Sequence, residues 1–110
     1  MAQYLDDVFH ALADPTRRSV LRTLAEGSAS VTVLAQPFDM GLPSFMKHIR
    51  LLERSGWIRT SKTGRVRTCA IEPTRYAVID GWLAEQRAVW ERRTDRLEQF
   101  VLEQTQKDER

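Results

Sequence analysis

The sequence predicts a mainly helical fold that carries one small β-hairpin, an α+β arrangement, on three observations. Apolar residues recur at helical spacing through five separate stretches, stopping residues punctuate those stretches, and between the fourth and fifth the period switches to alternation. At 110 residues the chain has the length of one domain, and residues 1–110 are expected to fold as a single unit.

Tyr4, Leu5, Val8, Phe9 and Leu12 fall on one helical stripe, which predicts a first helix over about 4–12. Asp14-Pro15 ends it and begins the next, because Asp14 can cap a helix whose first position Pro15 fills without losing a hydrogen bond. Val20, Leu21 and Leu24 form the apolar side of that second helix, and Gly27 stops it. A short third helix is expected from Val31 to Phe38, with Pro37 interrupting near its end and Asp39-Met40-Gly41 forming a turn.

From Leu42 to Ser55 the apolar residues Phe45, Ile49 and Leu52 share one stripe, while Ser44, Lys47, His48, Arg50 and Arg54 lie largely elsewhere. Pro43 suits the first turn and Gly56 the stop. This fourth helix therefore has one face to bury and one polar, basic face. Alternation follows in Trp57 to Ser61 and in Arg65 to Ile71, around a turn at Lys62-Thr63-Gly64, which predicts a hairpin with a basic tip. Beyond Glu72-Pro73 one long helix is expected over about 74–104, with Gln106 to Arg110 frayed. Tyr76, Leu83, Trp90 and Leu97 repeat every seven residues there, interleaved by Ile79, Gln86, Arg93 and Phe100, and so long a heptad wants a second helix to cover it.

The charge is unevenly distributed. Residues 42–71 carry seven Lys or Arg against Glu53 alone, a balance of +6, whereas the segments on either side carry −2 each. That is the footprint of a surface that meets phosphates; a solvated basic face is the plainer account. Two short helices, the second basic on one side, followed at once by a basic hairpin, make a winged helix-turn-helix with a DNA-binding core over about 15–71. In that arrangement the helix at 42–55 enters the major groove of double-stranded DNA and the hairpin at 58–71 meets the backbone or minor groove.

The expected DNA contacts are Ser44, Lys47 and Arg50 from the helix, and Lys62, Arg65 and Arg67 from the hairpin, where Arg65 and Arg67 alternate with Val66 and so share a face. His48 reads equally as a DNA contact and as a packing or capping residue. The first and last helices supply an expected dimer interface of Leu5, Phe9, Ile79, Leu83, Trp90, Leu97 and Phe100. Trp82, Trp90 and Phe100 also admit a ligand pocket between protomers, although an aromatic stripe at this spacing reads first as dimer core.

Several classes of function are excluded. Cys69 is the sole cysteine, which rules out an internal disulfide and a multi-cysteine metal site, and its place late in a strand reads as a small buried hydrophobe more than as a redox switch. The opening residues lack a basic start and a long apolar run, so neither signal peptide nor membrane association is expected and the address is cytoplasmic. With two histidines, no activated nucleophile pattern and no glycine-rich phosphate loop, no catalytic or cofactor site assembles.

Ala11-Leu12-Ala13-Asp14-Pro15-Thr16-Arg17-Arg18 with Leu21 and Leu24 resembles the opening signature of the ArsR-type winged-helix repressors. The run from Leu42 to Ile58 is similar to that family's recognition helix and Gly64-Arg65 to its wing turn, so the resemblance covers about residues 5–71. It implies a homodimer joined by its first and last helices, an operator overlapping a promoter, and repression released by an inducer, whose identity as a small organic molecule or another signal the residues leave open. Many relatives carry a Cys-x-Cys pair where this chain has Ser30 and Thr32, and others place histidines on the last helix, where this chain has none. The reading is therefore a homodimeric repressor without metal-sensing ligands. The alternative is a helical protein-interaction module whose basic stretch binds an acidic partner.

Overall fold

The structure, a computed structural model, describes residues 2–108. Five helices and three strands follow in the order α1 (Ala2–Leu12), α2 (Pro15–Leu24), β1 (Ala29–Ser30), α3 (Val31–Ala35), α4 (Leu42–Arg54), β2 (Ile58–Thr63), β3 (Val66–Ile71) and α5 (Thr74–Asp108). This is a winged helix-turn-helix, mainly helical, with a three-stranded antiparallel sheet in the order β1-β3-β2 and a long C-terminal helix. The chain divides into two compact units, Met1–Ala77 and Val78–Arg110.

Within the first unit, Val8, Ala11, Val20, Leu21, Leu24, Val31, Leu34, Phe45, Ile49, Leu52, Trp57, Ile58 and Cys69 are buried together. The helical stripes read from spacing are thus the faces that meet. Asp14 caps α2 as expected: its carboxylate accepts from the backbone N–H of Arg17 at 3.0 Å, with Pro15 in the first turn. Burial alone would raise the Asp14 carboxyl, but that bond and the neighbouring Arg17 charge outweigh it and hold its pKa below the usual value.

The largest fully buried side chain is Trp57, which leaves the end of α4 through Gly56 at φ +84°. Its indole N–H donates to the carbonyl of Val8 in α1 at 2.9 Å, and its ring meets that of Tyr76 edge-on, with centroids 5.0 Å apart. Gly56 is required here by its backbone conformation. Its backbone is left-handed, and a Cβ would overlap the guanidinium of Arg75, which donates from Nε to the Ser55 carbonyl at 2.8 Å and lies over the Tyr4 ring.

Four expectations need correction. The third helix ends at Ala35 rather than Phe38, because Pro37 cannot continue it and residues 36–37 form a turn instead. A third strand, β1, pairs Ala29 with Cys69 and Ser30 with Thr68; two residues in a loop carry no periodic signal, and they become a strand only because β3 offers an edge. The hairpin turn is the pair Gly64-Arg65, not Lys62-Thr63-Gly64, since Thr63 still pairs with Val66. Gly64 at φ +62° followed by a residue without positive φ is the type II′ pattern, which glycine in first position selects. Finally, α5 remains helical through Asp108, so the fraying expected from Gln106 is absent at residues 106–108, while 109–110 lie outside the described residues.

In the second unit, α5 leaves large apolar side chains uncovered: Leu83 is 44% exposed, Trp90 66%, Leu97 64%, Phe100 57% and Val101 53%. Leu83, Trp90, Leu97 and Val101 stay close to one line along the helix and Phe100 borders it, drifting slowly as a seven-residue repeat must on a 3.6-residue helix. Ile79 is half-buried within the single chain, as are Leu5 and Phe9 of α1. Tyr76, read from sequence as part of the same repeat, spends one ring edge on Trp57 instead.

Candidate nucleic-acid interface

Because Phe45, Ile49 and Leu52 fix which side of α4 faces the core, the opposite side is determined: Pro43, Lys47, Arg50 and Arg54 follow at steps of four, three and four and all are exposed. Ser44 is exposed on the flank of this line. The structure therefore brings Ser44, Lys47 and Arg50 to the open side of one helix. Arg54 lies on the same line, as the i, i+3, i+4 spacing already marks, and is absent from the expected DNA contacts.

His48 departs from them. It stands three residues after Phe45 and four before Leu52, so its ring turns inward to α2, where Nδ1 lies 3.1 Å from Arg17 Nη1 and 3.8 Å from the Asp14 carboxylate. In its contact with the His48 ring the Arg17 guanidinium can only donate. Arg17 is 7% exposed: Nε donates to the carbonyl of Ala11 at 2.8 Å and Nη2 to that of His10 at 3.1 Å, two of the carbonyls in the last turn of α1. His48 is half-buried against this buttress.

In the wing, pairing of Thr60 with Cys69 and of Lys62 with Arg67 sets Ile58, Thr60, Lys62, Arg67, Cys69 and Ile71 on one face. Ile58 and Cys69 are buried at its inner end, and burial pushes the Cys69 thiol up, as expected of a packed residue. Lys62 is exposed within β2, opposite Arg67, and Arg65 is exposed in the turn, so Arg65 and Arg67 do not share a strand face as the alternation implied. Arg67 is half-buried and donates from Nη1 to Thr60 Oγ1 at 3.0 Å, while the Thr60 hydroxyl donates to Glu53 on α4. On the other face of the sheet, Arg59 and Glu72 form an exposed ion pair at 3.2 Å, worth little to stability.

A cleft of about 310 Å³ between α1 and the end of α4 is lined by Asp7, His10, Leu51, Arg54 and Ser55. The Ser55 hydroxyl is already committed to the carbonyls of Leu51 and Leu52. Among the described residues no group of three or more His, Cys, Asp or Glu that could hold a metal ion is gathered, and Ser30 uses its hydroxyl to cap α3, accepting from the N–H of Val33 at 3.2 Å. Among the described residues no helix is long and apolar enough to cross a membrane.

Buried helical scaffold, open basic helix and short-turned wing define a DNA-binding winged helix-turn-helix protein. Residues 12–60 match the model of a family described as a helix-turn-helix domain. The chain is 30% identical over 74 residues to the HTH-type transcriptional regulator Rv2034 of Mycobacterium tuberculosis, spanning 67% of this chain and 69% of that one. It is 31% identical over 61 residues to the transcriptional repressor SdpR of Bacillus subtilis, covering 56% and 68% of the two. The crystal structure of an ArsR family transcriptional regulator is similar with a TM-score of 0.81 and 60% identity, over 83% of this chain and 94% of that one. The chain belongs to the ArsR family of winged helix-turn-helix transcriptional regulators, a family of regulators rather than enzymes. Membership favours the DNA-binding reading over an acidic protein partner.

Proposed function

We propose that the protein is a homodimeric repressor that binds double-stranded operator DNA in a sequence-specific manner and does not respond to metal ions. The observation that carries the reading is the exposed Lys47 and Arg50 line of α4 standing back to back with a fully buried apolar stripe and followed directly by a basic wing. Residues 15–71 form the DNA-binding core; the helices at about 4–12 and 74–104 form the dimer, through Leu5, Phe9, Ile79, Leu83, Trp90, Leu97 and Phe100. Ser44, Lys47 and Arg50 reach base edges, Lys62 and Arg65 hold phosphates, and His48 orients α4 from behind. The repressing direction draws on the similarity to SdpR. The inducer is a signal other than a metal.

The test is a mobility-shift titration on duplexes selected from a random pool by the wild-type protein. Ser44→Ala and Lys47→Ala are expected to lose about 1–3 kcal/mol on the selected duplex and less on scrambled DNA, because base contacts discriminate. Arg65→Ala is expected to weaken both duplexes alike and to flatten the slope of log K against log salt by about 0.9 per protomer, one counterion fewer being released. Equal loss of preference from helix and wing variants would refute this division.

Metal indifference follows from the chemistry of Ser30 and Thr32, which offer hydroxyls where soft metals need thiolates, and from the lack of histidine after His48. Operator affinity is expected to stay constant when zinc, cadmium or arsenite is titrated in at stoichiometric levels, and when a chelator is added. Release of the duplex by any of the three would count against it.

A further inference from the structure

Glu53 is the sole acidic residue in the basic segment of residues 42–71, on a surface where a carboxylate works against phosphate binding. Its geometry supplies a reason for its presence. Glu53 leaves α4 near its end and accepts from the hydroxyl of Thr60 in β2, and that same hydroxyl accepts from Nη1 of Arg67 in β3 at 3.0 Å. A threonine hydroxyl has one proton to give, so the direction of the chain is fixed: Arg67 to Thr60 to Glu53. Three elements are joined by it, the recognition helix and both strands of the wing. Both ends are charged, which makes each bond stronger than a neutral one; the Arg67–Thr60 bond is partly buried and the Thr60–Glu53 bond is exposed.

We propose that Glu53, Thr60 and Arg67 are positioning residues that set the wing against the recognition helix, and that Arg67 acts from within this brace instead of holding phosphate. The proposal rests on the DNA-binding reading above and adds a division within the wing. Lys62 and Arg65 supply the mobile charge; Arg67 supplies the angle at which they are presented. The brace touches no base. Its loss changes how helix and wing fit one duplex together, and leaves the number of phosphates neutralised unchanged.

The experiment compares Arg67→Ala, Thr60→Val, Thr60→Ser and the Arg67→Ala/Thr60→Val double variant with Arg65→Ala, titrating each on the selected duplex across a salt series. Thermal melts of every variant identify any that fails to fold, and Thr60→Val keeps the β-branched shape that suits a strand. Arg67→Ala and Thr60→Val are each expected to weaken binding about tenfold, the scale of a charge-assisted hydrogen bond, with the salt slope of the wild type. The double variant is expected to be no weaker than either single one, because both break the same chain. Thr60→Ser, which keeps the hydroxyl, is expected to bind as the wild type does.

A slope flattened in Arg67→Ala to the extent seen in Arg65→Ala would overturn the proposal by making Arg67 a phosphate ligand. So would wild-type affinity in Thr60→Val, or additive losses in the double variant. If the wild-type protein selects no duplex at all, the DNA-binding reading itself fails.

Discussion

Replacing Trp57 by alanine is expected to cost about 3–5 kcal/mol, the usual range for a buried tryptophan truncated in a packed core. The site cannot collapse easily. Trp57 is 1% exposed, its neighbours Val8, Ile58 and Leu52 are themselves buried, and the truncation also removes the buried hydrogen bond from the indole N–H to the Val8 carbonyl at 2.9 Å. Against a total stability of about 5–15 kcal/mol for a domain of this size, the expected fall in melting temperature exceeds about 10 °C. Trp57→Phe separates the two contributions, because it keeps most of the buried surface and removes only the donor; it is expected to cost about 1–3 kcal/mol. Melting curves followed by circular dichroism read both. An alanine variant that melts within two or three degrees of the wild type would show that the pocket closes or that Trp57 is not held as described.

The second large effect concerns assembly. Leu83→Asp and Leu97→Asp are each expected to convert the proposed dimer to a monomer, because each sets a carboxylate within its apolar stripe. Leu83, Trp90 and Leu97 are 44%, 66% and 64% exposed in the single chain, and covering each one contributes about 1.5–3 kcal/mol before the entropic cost of association. A charge there forfeits that gain and adds a desolvation penalty. Sedimentation equilibrium at micromolar concentration is the measurement, with operator affinity as a companion: two linked half-site readers bind more tightly than one, so the monomers are expected to lose about a hundredfold or more. A wild-type protein that sediments as a monomer would remove the proposed interface.

Much of this architecture was legible before any coordinates, and the boundary of legibility is physical. Phe45, Ile49 and Leu52 declare the buried side of α4 because a helix repeats locally, and with it they declare the outward side that carries Lys47 and Arg50. Asp14-Pro15 is equally local: cap and first turn are adjacent in the chain. What spacing could not supply is whatever depends on a distant partner. Strand β1 exists only by pairing with Cys69 and Thr68, some forty residues on. His48 faces Arg17, Arg17 is buried, and Arg67, expected at DNA, donates to Thr60. A charged side chain signals water in a one-dimensional reading, and only the fold discloses which charges have been given another occupation.

Arg17 has a mechanical consequence of its own. One guanidinium grips the final carbonyls of α1 with two of its arms and the middle of α4 with the third, through His48. The two helices therefore share a pivot that lies at the root of α2, a full helix away from the wing. The end of α1 and the central turn of α4, at the level of Lys47 and Arg50, are thus held one arginine side chain apart.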